Sequence, residues 1–479
     1  MKTALALIAL LFTAACRTTS ITQPADPTAR ELDSFFQRTL REVPEVKSLG
    51  VAIVRDGKPY FASAYGFADS EKQIPATAHT GYYIASSTKS YTGLACAILA
   101  ARGKLDLDAP IARYLPEVTS DAGKITLRQF LTHTEPIEND PINFRTAYSG
   151  EHTPAMLASM LNSSTPRKPG FQYDNLGYVV ASLVIERVTG KPWQRALDEI
   201  VFEPLGMHET TAYMSEAGRR PIAMPYEPNR QGEVVRSQFV KTDQMMHAAG
   251  GIVTTPADLA RWLAANINES GPGFAEAHRR QVETTQQREM FKASGYGFGW
   301  YVADYAGDKM LFHLGGFEGF RAHVSFMPEK KIGVAIVTNS GGWSGGLLSF
   351  LAAHVYDRLL GRAANDPLPK LVEGWKGQHD KFVAGAAERA KRTWMLKHPN
   401  ATYVGRYDNP LWGPMLIEQR GDKLYASLEN LTSVVEPFTE PESARVEIVP
   451  NQGSVLRFTF DGDAVTSLKW DDVVFQRVK

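Results

Sequence analysis

The sequence predicts an α+β fold: an antiparallel sheet flanked by helices, with an inserted all-helical lobe, followed by a small all-β, barrel-like module. Three observations carry this expectation. β-prone runs stand at both ends of residues 31–361, helical periodicity fills the interval between them, and after Gly361 the chain turns polar and then breaks into short alternating strands. The length fits, since 479 residues at about 150 per domain give roughly three units.

Residues 1–15, MKTALALIALLFTAA, combine Lys2 with an uncharged run that is too short to span a bilayer and suits an export signal. Thr13-Ala14-Ala15-Cys16 resembles a bacterial lipoprotein box in which Cys16 is lipidated; ordinary cleavage near Ala15 is the other reading. The expectation is an exported, periplasmic or cell-envelope protein that meets a membrane only through an anchor at Cys16. Arg17 after the cysteine favours the outer membrane. No other apolar run approaches the ~18 residues of a transmembrane helix. Residues 16–30, rich in Thr and Pro, read as a tether.

Gly50–Val54 and Tyr60–Tyr65 form a predicted hairpin around Asp56-Gly57. Helical spacing runs from Ser86 through Leu94, Ile98 and Ala101 to a stop at Gly103. Further helices are expected at Ile125–Thr132, Met156–Leu161, Gly177–Val188, Pro192–Phe202 and Pro256–Ile267. Strand character returns at Tyr296–Val302, Lys309–Leu314, Phe320–Met327 and Ile332–Thr338, with Pro328–Lys331 as a turn and a helix at Leu347–Leu360. Residues 362–400 read as a helical linker. Residues 401–479 read as short strands parted by turns such as Arg420-Gly421-Asp422 and Asp461-Gly462-Asp463.

Composition removes several function classes. Lys and Arg number 52 against 52 Asp and Glu, so there is no polycationic footprint and nucleic acid is not an expected partner. Two cysteines, Cys16 and Cys96, exclude a disulfide framework and a Cys-ligated zinc module. The 11 histidines show no metal-ligand spacing such as H-E-x-x-H, so neither metal nor cofactor is expected. The expected partner is a small-molecule or peptide substrate; oligomeric state is not readable from the chain.

Ser86-Ser87-Thr88-Lys89 is the one S-x-x-K in the sequence. On a helix, Ser86 and Lys89 share a face. The positive end of the helix dipole favours a neutral amine there, able to take a hydroxyl proton. The plainer reading makes Ser86 an N-cap and Lys89 a solvated residue. Tyr173-Asp174-Asn175 precedes a helical run, and in an extended loop Tyr173 and Asn175 project to the same side. A tyrosine shuttles protons if cations stabilise its phenolate, and Lys89 is a candidate neighbour; core packing is the alternative. In His313-Leu314-Gly315-Gly316 the glycines let a ligand approach the backbone, the Gly316 N–H is a candidate oxyanion donor, and His313 could orient or share a proton with the tyrosine. Gly342-Trp343-Ser344-Gly345-Gly346 matches the G-x-S-x-G of an α/β-hydrolase elbow, although nine residues separate its strand from its helix.

Ser86-x-x-Lys89, Tyr173-x-Asn175 and His313-x-Gly315, in that order, resemble the boxes of the penicillin-recognising serine hydrolases, in the branch of class C β-lactamases, esterases and D-aminopeptidases. Phe130-Leu131-Thr132-His133-Thr134, Ala249-Gly250-Gly251-Ile252 and Tyr296-Gly297-Phe298-Gly299-Trp300 are family-like as well. The resemblance spans about residues 45–360 and implies a β-lactamase/transpeptidase-like fold. It implies Ser86 as acylated nucleophile, Lys89 as its proton partner and Tyr173 as activator. It also implies Asn175 on the substrate amide, and Ser86 and Gly316 N–H groups as oxyanion hole. Three departures stand out. His313-Leu314-Gly315 replaces Lys-Thr-Gly, removing a cation useful for a penicillin carboxylate. Glu135-Pro136 replaces a common Ser-Gly, and Asp174 takes a place where small residues are usual. The expected activity is therefore ester, D-amino-acid or cell-wall peptide hydrolysis. A true β-lactamase and a catalytically weak protein that binds cell-wall peptides remain alternatives. The C-terminal module resembles the lipocalin-like barrel of some relatives, where it caps the site or supports oligomerisation.

Overall fold

The computed structural model describes residues 26–344, 346–363, 366, 368–449 and 452–478. The stretch read as an export signal, and Cys16, lie outside the described residues. The first helix, α1 (Pro27–Glu42), begins inside the stretch read as tether. Pro27 fits the first turn, where its missing N–H is not needed, and Asp26 caps the helix by accepting from the Thr28 N–H at 2.9 Å.

Seven main strands build the first sheet: β1 (Ser48–Arg55), β2 (Lys58–Asp69), β3 (Phe291–Tyr296), β4 (Tyr301–Tyr305), β5 (Asp308–Phe317), β6 (Phe320–Met327) and β7 (Ile332–Thr338). Their order is β3-β4-β5-β6-β7-β1-β2, antiparallel throughout, and the short strands Val282–Glu283 and Gln287–Arg288 both pair with β3. The two ends of the unit meet where Leu49 of β1 faces Thr338 of β7. Asp56 (φ 55°) and Gly57 (φ 72°) make the predicted hairpin turn, both central residues being left-handed as such a turn requires.

Helices cover both faces. On one side lie α2 (Thr88–Ala101), α3 (Leu176–Thr189) and α4 (Pro256–Ile267), packed through residues such as Tyr91, Val180 and Trp262. On the other lie α1, α5 (Leu347–Leu359) and α6 (Leu368–Ala390), the last burying Leu368 and Trp375. Cys96 is buried on α2, and burial pushes its thiol up to about 12. Among the described residues no helix is long and apolar enough to cross a membrane.

One strand was read too long. Tyr296–Val302 is not continuous: Gly297–Trp300 turns the chain from β3 into β4, with Gly299 at φ 79°. A side chain at Gly299 would meet the Lys89 and Ser90 backbone at 2.4 Å, so this turn is pressed against the first turn of α2.

The C-terminal unit comprises β8 (Gly405–Asn409), β9 (Gly413–Arg420), β10 (Lys423–Leu428), β11 (Leu431–Val434), β12 (Ser443–Val449), β13 (Gln452–Asp461), β14 (Ala464–Trp470) and β15 (Val473–Arg477). They run β11-β10-β9-β8-β15-β14-β13-β12, with Glu436–Pro437 on the outer edge of β12. The Glu447 N–H donates to Ser433 Oγ at 2.7 Å, bridging β12 to β11 and nearly closing the barrel. The helical lobe plugs into this barrel. Phe144 packs against Trp412 and Trp470 with ring centroids 5.4 and 5.9 Å away. Next to it, Arg145 ion-pairs with Glu429, and Asn430 Nδ2 donates to Ser149 O at 2.7 Å.

Candidate active site

Ser86 sits in a 3-10 turn, Ala85–Ser87, just ahead of α2, and Ala85 takes the left-handed conformation (φ 45°). A non-glycine residue held there stores backbone strain of order 1–3 kcal/mol, which the packing around it must offset. The packing is tight: a Cβ on Gly315 of β5 would lie 2.0 Å from Ile84 O. The Gly315 side of β5 is therefore in contact with the turn that carries Ser86. Gly177 brings in the third element, since a Cβ there would lie 2.0 Å from Phe130 O. That close approach seats α3 on the short helix Leu127–Leu131, and the Lys89–Asn175 hydrogen bond ties its N-cap to α2.

These contacts bring together Ser86, Lys89, Tyr173, Asn175 and His313. Lys89 is fully buried. Its Nζ donates to Asn175 Oδ1 at 2.8 Å and to Ala249 O at 3.0 Å, and stands 3.4 Å from Ser86 Oγ. Burial pulls its pKa down to about 7, with Asp174 opposing the change and Arg288 adding to it. Burial is thus the cause of the shift, ahead of any dipole effect.

Tyr173 is partly buried and packs beside Lys89. Burial and the neighbouring Tyr301 push its phenol well above the ordinary tyrosine range, against smaller opposing effects of the Ser86 hydroxyl and Arg288. Lys89 Nζ lies 4.8 Å from the centroid of its ring. Tyr173 is a neutral O–H at physiological pH.

His313 also has a different partner. Its Nε2 is 3.2 Å from Tyr296 Oη, and Tyr296 Oη is 3.3 Å from His133 Nε2. The Asp174 N–H donates to His133 Nδ1 at 3.4 Å, which leaves the proton on His133 Nε2. A consistent chain then runs from His133 through the Tyr296 hydroxyl to His313, whose Nδ1–H donates to Leu314 O at 2.7 Å. Burial, and next the Lys89 charge, keep His313 well below the ordinary histidine range. It supplies no cation.

The two other departures, Glu135 and Asp174, belong together. Arg167 ion-pairs with Glu135 at 2.9 Å and with Asp174 at 2.5 Å. Burial and the Asp174 charge push the Glu135 carboxyl up from its usual range, with Arg167 opposing them. Burial also works against the Asp174 anion, yet His133, Arg167 and Glu135 together hold it below its usual value. His133, Glu135 and Asp174 are close enough to share a metal ion, but Arg167 already supplies the positive charge between the carboxylates. Arg167→Leu strands the buried Asp174 anion and should cost about 3–5 kcal/mol in urea unfolding.

β5 offers an open edge. Its ladder with β4 ends at Tyr301↔Phe312, whereas its ladder with β6 continues to Phe317↔Phe320. The side of residues 313–317 away from β6 is unpaired by β4 and can accept an extended main chain. A Cβ on Gly316 would find nothing nearer than Arg321 Cδ at 3.6 Å. Gly316 lines a cleft of about 600 Å³ with Tyr148, Phe239 and Phe317, and the barrel contributes Val449 and Gln452 to the same wall.

Ser344 is buried and its hydroxyl donates to Ser340 O at 2.6 Å. The preceding sheet is antiparallel, so this glycine-rich stretch is not the nucleophile elbow of a parallel-sheet hydrolase. Three contributors escaped the sequence reading: Arg288, the Ala249 carbonyl and Arg167. Only Ala249 lay in a stretch already marked as family-like.

The sheet, its flanking helices and the Ser86 turn fit one class of protein. The chain belongs to the Beta-lactamase family, whose model matches residues 36–357, and is a serine hydrolase at that level. Protein flp of Staphylococcus aureus is 22% identical over 388 residues, covering 77% of this chain and 76% of that protein. The octameric penicillin-binding protein homologue from Pyrococcus abyssi superposes with a TM-score of 0.61 at 23% identity, covering 93% of this chain and 99% of that one. The D-amino acid amidase of Ochrobactrum anthropi superposes with a TM-score of 0.60 at 23% identity, covering 69% of this chain and 99% of that one. At such identities the solved structures speak for the fold alone.

Proposed function

We propose that the protein is an exported hydrolase, anchored through Cys16, that forms an acyl-enzyme at Ser86 on an ester or on a D-amino-acid or cell-wall peptide amide. The observation that carries this reading is the environment of Lys89. A neutral amine has two N–H bonds and one lone pair. With the two hydrogens given to Asn175 Oδ1 and Ala249 O, the lone pair is left for the Ser86 hydroxyl 3.4 Å away.

In this scheme Ser86 Oγ attacks the carbonyl carbon as its proton passes to Lys89. The Ser86 and Gly316 N–H groups receive the oxyanion. The Lys89 ammonium returns the proton to the leaving amine or alkoxide through the neutral Tyr173 hydroxyl, and the C–N or C–O bond breaks. Water then adds to the acyl-enzyme by the same route, releasing acid and Ser86. Asn175 holds Lys89 and supports the substrate amide, while His313 braces the β5 edge.

Mapping the peptide modified by a fluorophosphonate tests the reading: label on Ser86 supports it, and label elsewhere with Ser86 untouched overturns it. The pH dependence follows from Lys89. Below about 7 the amine is protonated and cannot accept the serine proton, so the acylation rate should climb as pH rises through about 7 and then level off. Initial labelling rates against pH check this.

A further inference from the structure

Arg288 extends from the short strand Gln287–Arg288, which pairs with β3. It is half-buried, and its guanidinium carbon lies 5.0 Å from the ring centroids of both Tyr173 and Tyr301. Arginine stacks on aromatic faces in this way while keeping its in-plane N–H donors available. Among the described residues it has no carboxylate partner. Arg288 Nε is buried without a hydrogen bond, and so is the Tyr301 hydroxyl, on a side chain only 2% exposed. The two groups adjoin, Arg288 opposing the rise that burial gives the Tyr301 phenol, and neither has an acceptor beyond the pair, which buried donors normally find.

The charge balance agrees. Asp174 and Arg288 are the charges that act on Lys89, and Asp174 is bound to Arg167. His313 and His133 are both held in the neutral form by burial. Of the two charges that act on Lys89, Arg288 is thus the one without an ion-pair partner among the described residues, whereas Arg321 in the Gly316 cleft stands with Glu227 and Glu318.

We propose that Arg288, with the Tyr301 hydroxyl, binds a carboxylate of the substrate, supplying from a different strand the cation that His313-Leu314-Gly315 lacks. A planar carboxylate has two oxygens, matching two donors on neighbouring groups. This rests on Ser86 being the nucleophile, and it narrows the substrate class to acyl donors that carry a free carboxylate, rather than simple amides or esters.

The test uses protection of the full-length chain from a fluorophosphonate. N-acetyl-D-alanyl-D-alanine and N-acetyl-D-phenylalanine are each compared with their carboxamides as competitors of Ser86 labelling. In the wild type an acid should protect at roughly tenfold lower concentration than its amide, the size expected of a charge-assisted hydrogen bond. Arg288→Met should erase that preference and Arg288→Lys should keep part of it, each variant being checked for an unchanged circular dichroism spectrum. Equal protection by acid and amide in both pairs overturns the proposal, as does a preference that survives Arg288→Met. Absence of Ser86 labelling in the wild type overturns the nucleophile reading itself, and this inference with it.

Discussion

With Lys89 replaced by methionine, acylation of Ser86 is expected to fall about a thousandfold or more, the range lost when a nucleophile's proton acceptor is removed. The folded state should hold or gain stability. Lys89 is wholly buried with its pKa drawn down to about 7, so the fold bears a desolvation cost that a thioether of similar length does not carry. The hydrogen bonds lost, to Asn175 Oδ1 and Ala249 O, are the offset. Labelling kinetics and a thermal melt on the same preparation separate the two effects. A protein that melts many degrees lower would return Lys89 to a structural role.

Gly315→Ala should be nearly as damaging, for a steric reason. Its new Cβ would lie 2.0 Å from Ile84 O, a backbone atom that no rotamer change can move. β5 must back away from the nucleophile turn, carrying the Gly316 N–H off the developing oxyanion. Loss of one such donor costs about 10²–10³ in rate, and the overlap itself about 1–3 kcal/mol. Gly316→Ala is the control for stability, because its Cβ meets nothing nearer than 3.6 Å. A melt of both variants beside the wild type reads the contrast directly. If Gly315→Ala acylates normally, the strand does not set the oxyanion position.

The parts of the molecule legible in the sequence were those encoded locally. Asp56-Gly57 states its turn in two residues, and Phe320–Met327 and Ile332–Thr338 state their strands through β-branched and aromatic runs, with the observed bounds the same as those read. Where glycines interrupt an aromatic run, composition misled. Gly297–Trp300 looks like strand but must turn because Gly299 packs on α2, a constraint set by residues some two hundred positions away. The start of α1 was readable in principle from Asp26-Pro27, a cap followed by a first-turn proline, but Thr and Pro in the same stretch suggested a tether.

At the site, Ser86 and Lys89 lie one helical turn apart and announce themselves. Arg288 does not, because it reaches Tyr173 through strand pairing. Arg167 likewise acquires its meaning only once the loops bearing Glu135 and Asp174 fold around it. Nor could spacing say that burial and Tyr301 would raise the Tyr173 phenol. Charge state is a property of surroundings, and surroundings are tertiary.

Phe144 belongs by sequence to the helical lobe, yet its ring completes the apolar interior of the barrel with Trp412 and Trp470. Arg145 and Ser149 fasten the same segment to Glu429 and Asn430. The two units should therefore unfold together. Calorimetry should record one endotherm where two independent domains would give two, and the barrel cut free should melt far below the intact chain.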